Sequence, residues 1–363
     1  MPKLPQFVSL FTIIMLFLTG ANGQPAYMQD IRIASAAFIK TLEPTQKRMA
    51  LLAFNDTSRI KWNNLPVGMR ARAGINIGKM SDDQRKLLHR ILSVSLSSQG
   101  YLKATSILHL DNLLNAYYDT LLYRKEIDER TYKFLMELQW SHRNFYLAFY
   151  GLPSDSVWGY KLEGHHLSIN FSFVGDKLCV TPFFIGTDPA EYPINEYAGW
   201  RVLGQEEDLG LKLILSLSPA QRKKAIISDK VPEDIITGAE SGKRLVDYQG
   251  ITAAEMNAEQ KAILLYIVRE FVFNMEYEKA FVEYDKILKA GIDKIYFGWI
   301  GALEETKQHY FVLNGPGFLI EFDNYGFGGN ANHIHAIWRE KGNEFGEDLL
   351  KKHYQQEKHK TSK

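Results

Sequence analysis

"GHHLSINFSFVGDKLCVTPFFIG", residues 164–186, alternates apolar and polar side chains over its first half. One set of alternate positions is His165, Leu167, Ile169 and Phe171, and the other is His166, Ser168, Asn170 and Ser172. A period of two marks a strand with one apolar and one polar face. Gly175-Asp176 predicts a hairpin turn into "KLCVTPFFIG". With "SVWGYKLEG" just upstream, these segments make a β block over about 156–186.

A second block has the same texture at about 294–340: "KIYFGWIGAL", "HYFVLNGPGFLIEFDNY" and "NHIHAIWRE", with Asn314-Gly315-Pro316-Gly317 as a strong turn. Helical patterns at about 205–227 and 257–289 separate the two blocks. Short connections inside each block favour antiparallel pairing. The expected fold class is therefore α+β: a mainly antiparallel sheet assembled from both blocks, packed with a largely helical N-terminal half and inserted helices. We expect one α+β domain over 24–363, with a helical lobe at 24–151 and a β-rich body at 152–363.

In the N-terminal half, "QDIRIASAAFIKTLEPTQKRMALLAF" reads as two helical segments broken at Pro44. "TYKFLMELQWSHRNFYLAFYG", 131–151, reads as a long aromatic helix stopped by Gly151 and Pro153, with His142 a reserve ligand within it. Residues 55–79 lack periodicity and form a long connection whose Trp62, Arg70 and Arg72 could line a cleft. Ser81 and Gln84, Ser218 and Gln221, and Asn257 and Gln260 have capping-box spacing and predict three helix starts. Their unequal separations argue against a solenoid of regular period.

Composition narrows the function classes. The 363 residues carry 43 basic and 42 acidic side chains, a formal charge of +1, so no one-signed field draws the chain to nucleic acid. Cys179 is the single cysteine. It excludes an intrachain disulfide and, lying in an apolar run without basic neighbours, reads as a buried inert thiol. "MPKLPQFVSLFTIIMLFLTGANG" has Lys3, an apolar run from Phe7 to Leu18, and small residues Ala21 and Gly23 before Gln24. This is the pattern of a secretory signal peptide over 1–23, giving a periplasmic or secreted product with no membrane span after cleavage.

The chemistry-bearing residues are histidines. His333 and His335 stand at i and i+2 of a predicted strand, so both side chains leave the same face about 6.5–7 Å apart. Two such imidazoles can converge on one cation, but a stable site needs a third ligand. His166, on the polar face of the first block, is the candidate, and His165 replaces it if Gly164 kinks the strand start. Three neutral nitrogens with open positions suit a catalytic divalent metal, Zn²⁺ first, with Cu or Fe on the same ligand types. Glu163 and Glu321 are candidates to handle protons for bound water, with Asp323 nearby, and Arg339 is the candidate to hold a substrate carboxylate or oxyanion. Gly326, Gly328 and Gly329 lack the strand-to-helix context of a phosphate loop. Trp158, Trp200, Trp299 and Trp338 could stack on a ligand.

The segments "GHHLSIN", "TPFFIG", "NHIHAIWRE" and "NEFGEDLLKKHY", with the helix starts at Gln84, Gln221 and Gln260, resemble a family of exported proteins catalogued as domain of unknown function 3500. The resemblance covers nearly the whole chain after residue 23 and implies no reaction. Thr187-Asp188-Pro189-Ala190 stands where that family's pattern has Ala-Asn-Pro-Ala, and Glu340 and Glu344 stand where it has Asp. The leading expectation is an exported metal-dependent hydrolase acting on an unidentified small molecule, peptide or sugar. A Cu or Fe oxidase or oxygenase, or a non-catalytic periplasmic binding or scaffold protein with structural histidines, are its rivals.

Overall fold

In the computed structural model, residues 24–239, 245–326 and 330–361 are described. The leader expected at 1–23, and Gly328 and Gly329 of the glycine-rich run, lie outside them. The N-terminal helices are α1 (Ala26–Lys40), α2 (Pro44–Ala50), α3 (Asp82–Ser95), α4 (Ser98–Tyr123) and α5 (Glu129–Glu137). The central ones are α6 (Gly204–Ser216), α7 (Pro219–Ala225), α8 (Ala258–Val272) and α9 (Tyr277–Ala290), and α10 (Glu347–Thr361) is the last described helix. The strands are β1 (Leu51–Leu52), β2 (Ile75–Asn76), β3 (Tyr146–Tyr150), β4 (Val157–Gly164), β5 (Leu167–Val174), β6 (Lys177–Cys179) and β7 (Phe183–Thr187). They continue as β8 (Ile226–Ser228), β9 (Ile251–Thr252), β10 (Tyr296–Gly301), β11 (His309–Asn314), β12 (Phe318–Asn324) and β13 (Ile334–Glu340). The fold is α+β as expected: both β blocks enter one mostly antiparallel sheet, joined where β7 pairs with β13. Among the described residues, no helix is long and apolar enough to cross a membrane.

The strand order β1-β3-β4-β5-β7-β13-β12-β11-β10-β8 reads alike from either end. Exchanging β1, β2, β3, β4, β5 and β7 for β8, β9, β10, β11, β12 and β13 preserves every neighbour and its direction: β1 and β8 run parallel to β3 and β10, and the other pairs are antiparallel. The cross-strand ring pairs Tyr160–Phe171 and Phe311–Phe322 correspond, with centroids 4.5 and 4.9 Å apart. The helices repeat too. A fourth capping box, Glu43 with Gln46, starts α2 as Ser218 with Gln221 starts α7. Gln46 then shares amide hydrogen bonds with Gln84 at the start of α3, and Gln221 does the same with Gln260 at the start of α8. The fold is a doubled unit with an approximate two-fold axis between β7 and β13.

The predicted helix over 131–151 is corrected. α5 stops at Glu137, Gln139 takes a left-handed φ of 62°, and "YLAFY" becomes β3 between β1 and β4. Both faces of this strand are buried, so its apolar run carries no visible period. The sheet therefore begins inside the segment expected to be a helical lobe. His142 sits in the exposed turn, its Nδ1 3.0 Å from Asn112 Oδ1.

The sheet has two buried faces of different character. Leu162, Leu167, Ile169, Phe171, Phe318, Phe322 and Trp338 point toward the helices and build the apolar core. Lys161, Glu163, Ser168, Asn170, Glu321, Asp323, His335 and Arg339 occupy the other face and are buried as well. Polar groups out of water need partners. The excursions between β1 and β2 (residues 53–74) and between β8 and β9 (described over 229–239 and 245–250) supply many of them.

Candidate metal centre

The β4–β5 turn consists of His165 and His166 alone, and its two imidazoles part company. His166 takes a left-handed φ of 59°, a region that a non-glycine residue enters at a cost of about 1–3 kcal/mol. Two backbone bonds hold it there: its N–H donates to Asn64 O at 3.3 Å, and its carbonyl accepts from Gly186 N–H at 2.7 Å. Across β7, β13 presents His335 opposite Gly186. A side chain at 186 would meet His166 Cδ2 at 2.9 Å and His335 Cδ2 at 3.0 Å, so glycine here makes room for both rings. His333 precedes β13, its N–H donating to Asn324 Oδ1 at 3.0 Å.

The result is a convergence of three ring nitrogens. His333 Nε2 lies 2.7 Å from His166 Nε2 and 3.1 Å from His335 Nε2. One ligand atom from each ring fits within 4.8 Å of the others. Nitrogens this close repel through their lone pairs unless protons or one cation lie between them. Tetrahedral Zn²⁺ with bonds of about 2.0–2.1 Å sets its nitrogens about 3.3 Å apart, close to the observed spread. Among the described residues the three histidines thus form a group able to hold a metal ion.

Burial and charge prepare the rings unequally. Burial, reinforced by neighbouring imidazoles, drives His166 and His333 well below the usual histidine range, so both are neutral near pH 7. Burial also acts to lower His335, but Asp234, Asp323 and Asp188 outweigh it and push this group up to about 9. Asp234 Oδ1 sits 2.8 Å from His335 Nδ1, leaving Nε2 to face the other two rings. A carboxylate behind a metal-binding histidine fixes its orientation and raises its basicity. Asp323 lies opposite His335 in the sheet and burial holds it well above the carboxylate range.

His165 points the other way. Its Nδ1 is 2.5 Å from Asp111 Oδ1 on α4 and its ring packs 4.8 Å from Trp140, yet it remains centroid to centroid 3.6 Å from His166. Asp188, just after β7, is pushed up to about 6 by burial, with His165 and His335 opposing. Neither Asp111, Asp188 nor Asp234 stood out in the sequence, since each lies in a helix or loop far from the histidines.

The oxygens of Glu163 and Glu321 are taken elsewhere. Glu163 pairs with Arg72 at 2.8 Å and Lys161 at 2.6 Å and accepts from Asn63 N–H at 3.0 Å. It thereby anchors the first excursion, whose Asn64 carbonyl holds His166. Glu321 accepts from Ile236 N–H at 2.6 Å, Tyr310 O–H at 2.9 Å, and the N–H and hydroxyl of Thr237. It anchors the second excursion, which carries Asp234. Arg339 donates to Thr237 O and pairs with Glu344, with its guanidinium over Trp62. Glu163, Glu321 and Arg339 are therefore drawn into holding the loops rather than brought onto the imidazole nitrogens. Trp62 packs on Phe184, Arg70 is exposed, and Trp158, Trp299 and Trp338 are core residues rather than open stacking surfaces. Cys179 is fully buried, its Sγ donating to Asn343 O.

No curated protein and no solved structure matches the chain. One family does, from the first residue past the expected leader almost to the end of the fold. Over residues 24–347, spanning both halves of the sheet and all four clustered histidines, the chain matches and belongs to the family described as protein of unknown function (DUF3500).

Proposed function

We propose that the protein is an exported, metal-dependent hydrolase whose divalent ion is held by His166, His333 and His335. The observation that carries the reading is the convergence of these three Nε2 atoms from two distant β segments, with Asp234 behind one of them. Three imidazole nitrogens favour Zn²⁺, whose binding would displace the proton from Nε2 of His335, and the same ligands accept Cu or Fe. Such an ion, when bound, supplies Lewis acidity to a coordinated water or substrate oxygen. The chain's own residues do the rest. Glu163 and Glu321 fix the two excursions that carry Asn64 and Asp234. Asp234 sets the tautomer of His335. His165, paired with Asp111 and packed on Trp140, supports the ring of His166 from behind. Export rests on the leader pattern of residues 1–23, and the substrate is an unidentified small molecule, peptide or sugar.

The test uses the full chain without a polyhistidine tag. Elemental analysis is expected to find divalent metal in stoichiometric amount and to lose it in a His333→Ala, His335→Ala double variant. Hydrolysis of a panel of model esters, amides and phosphoesters should vanish with a chelator and return with Zn²⁺. Metal-free wild-type protein would overturn the metal reading, and a loss of stability in the double variant of such a protein would leave the histidines structural.

A further inference from the structure

We propose a second divalent-cation site on the far side of His335, formed by Asp234, Asp323 and Nδ1 of that ring, so that one imidazole bridges two ions. The three ligand atoms fall within 4.8 Å of one another. Nδ1 is 2.8 Å from Asp234 Oδ1 and 4.0 Å from Asp323 Oδ2. The first distance suits a hydrogen bond, and it also equals the spacing of adjacent ligands on an octahedral ion with bonds of about 2.0 Å.

Asp323 supplies the independent observation. Its side chain is 1% exposed, and Oδ2, aimed at His335, has no hydrogen-bond partner among the described residues. A buried polar oxygen without a partner is costly, and protein interiors rarely leave one unmet. Another buried carboxylate on this face, Glu321, shows what satisfaction looks like, since both its oxygens accept protein donors. The difference is that Oδ2 of Asp323 faces a second carboxylate and an imidazole nitrogen, which is an arrangement of ligands rather than of donors.

The scaffold around it is fixed in position. Asp323 and His335 are cross-strand partners on β12 and β13. Asp234 is held by the excursion that Glu321 and Arg339 clamp two and three residues downstream. Two carboxylates and one imidazole make a harder ligand set than three imidazoles and suit Mn²⁺, Fe²⁺ or Zn²⁺. Binding at Nδ1 displaces the proton that Asp234 now accepts, and that proton leaves to solvent. Through the shared imidazolate a second ion would fix the ring of His335 for the first, the two lying farther apart than the about 3.5–4 Å of a two-metal clamp.

The inference rests on the three-imidazole reading through the shared ring of His335, and the experiment separates the two. The full chain is stripped with chelator, reloaded with Zn²⁺ alone, desalted and analysed for zinc. Two zinc ions per chain are expected, falling to one in Asp323→Asn. An anomalous-difference map of zinc-loaded wild-type crystals, which needs no variant to fold, is expected to show peaks on both sides of the His335 ring. A wild type saturating at one zinc, on the Nε2 side only, overturns the second site and leaves the first. Two ions retained in Asp323→Asn also overturn it. No zinc in the wild type overturns both.

Discussion

Asp234 Oδ1 and His335 Nδ1 stand 2.8 Å apart, joining a loop residue to a strand residue 101 positions away in sequence. The pair determines which nitrogen of His335 is left to face His166 and His333. Outer carboxylates of this kind are typically worth about 10–100-fold in metal affinity. Asp234→Ala should weaken zinc binding by that factor, measured by competition with a chromogenic chelator. An unchanged affinity removes Asp234 from the site.

Gly186→Ala tests the space between the rings. The added methyl meets Ile334 O at 2.6 Å as well as the two imidazoles, so β7 and β13 must separate slightly. Overpacking of this type costs about 1–3 kcal/mol. The expected outcome is a modest drop in the urea midpoint with a larger fractional loss of bound metal. Full metal occupancy in a destabilised variant would show that the rings tolerate the shift.

Glu321 is a structural anchor on this reading. Glu321→Ala strands the Ile236, Thr237 and Tyr310 donors in a buried place, costing about 3–5 kcal/mol. Tyr310→Phe removes one donor and should cost about 1 kcal/mol. Denaturant unfolding gives both values, and amide exchange at 234–237 should accelerate in Glu321→Ala first. Exchange that stays slow there would release the loop from Glu321.

The pH profile of the metal-free protein carries a signature of Asp188. Its carboxyl ordinarily titrates at 3.8 and is pushed up to about 6 in the fold. Between these values the native state keeps a proton that the unfolded chain has lost, so the contribution of Asp188 to stability falls as pH rises from about 4 to about 6 and is level above. A displacement of this size corresponds to on the order of 2–3 kcal/mol. Urea midpoints across that window should decline in the wild type and less steeply in Asp188→Asn. Parallel profiles would assign the slope to other groups.

The two glutamine pairs should behave as separate copies of one device. Gln84→Ala and Gln260→Ala each remove a capping partner and leave the facing amide of Gln46 or Gln221 short of a bond, at about 1–2 kcal/mol each. Lying in different halves of the fold, the two losses should add in the double variant. Marked non-additivity in calorimetry would mean the halves do not respond independently.

How legible this was from sequence depended on period. β5 announced itself because Ser168, Asn170 and Ser172 alternate with Ile169 and Phe171. β3 did not, because both its faces are covered and every residue from Leu147 to Tyr150 is buried. The grouping of His166, His333 and His335 followed from strand faces, yet the reason His166 turns inward is a left-handed turn that alternation alone does not encode. The carboxylates behind the rings were hidden by distance along the chain. The doubling was hidden by one residue: Glu43 is an unusual helix cap, and without it the remaining boxes are irregularly spaced. With it, the paired glutamines stand 38 and 39 residues apart in the two halves.

His166 comes from the first half and His333, His335 and Asp234 from the second, on either side of the seam where β7 meets β13. An ion seated on all three rings would act as a rivet through the joint of a twinned molecule. Occupancy and docking are then one event: whatever pries the twins apart disarms the chemistry, and filling the site locks them shut.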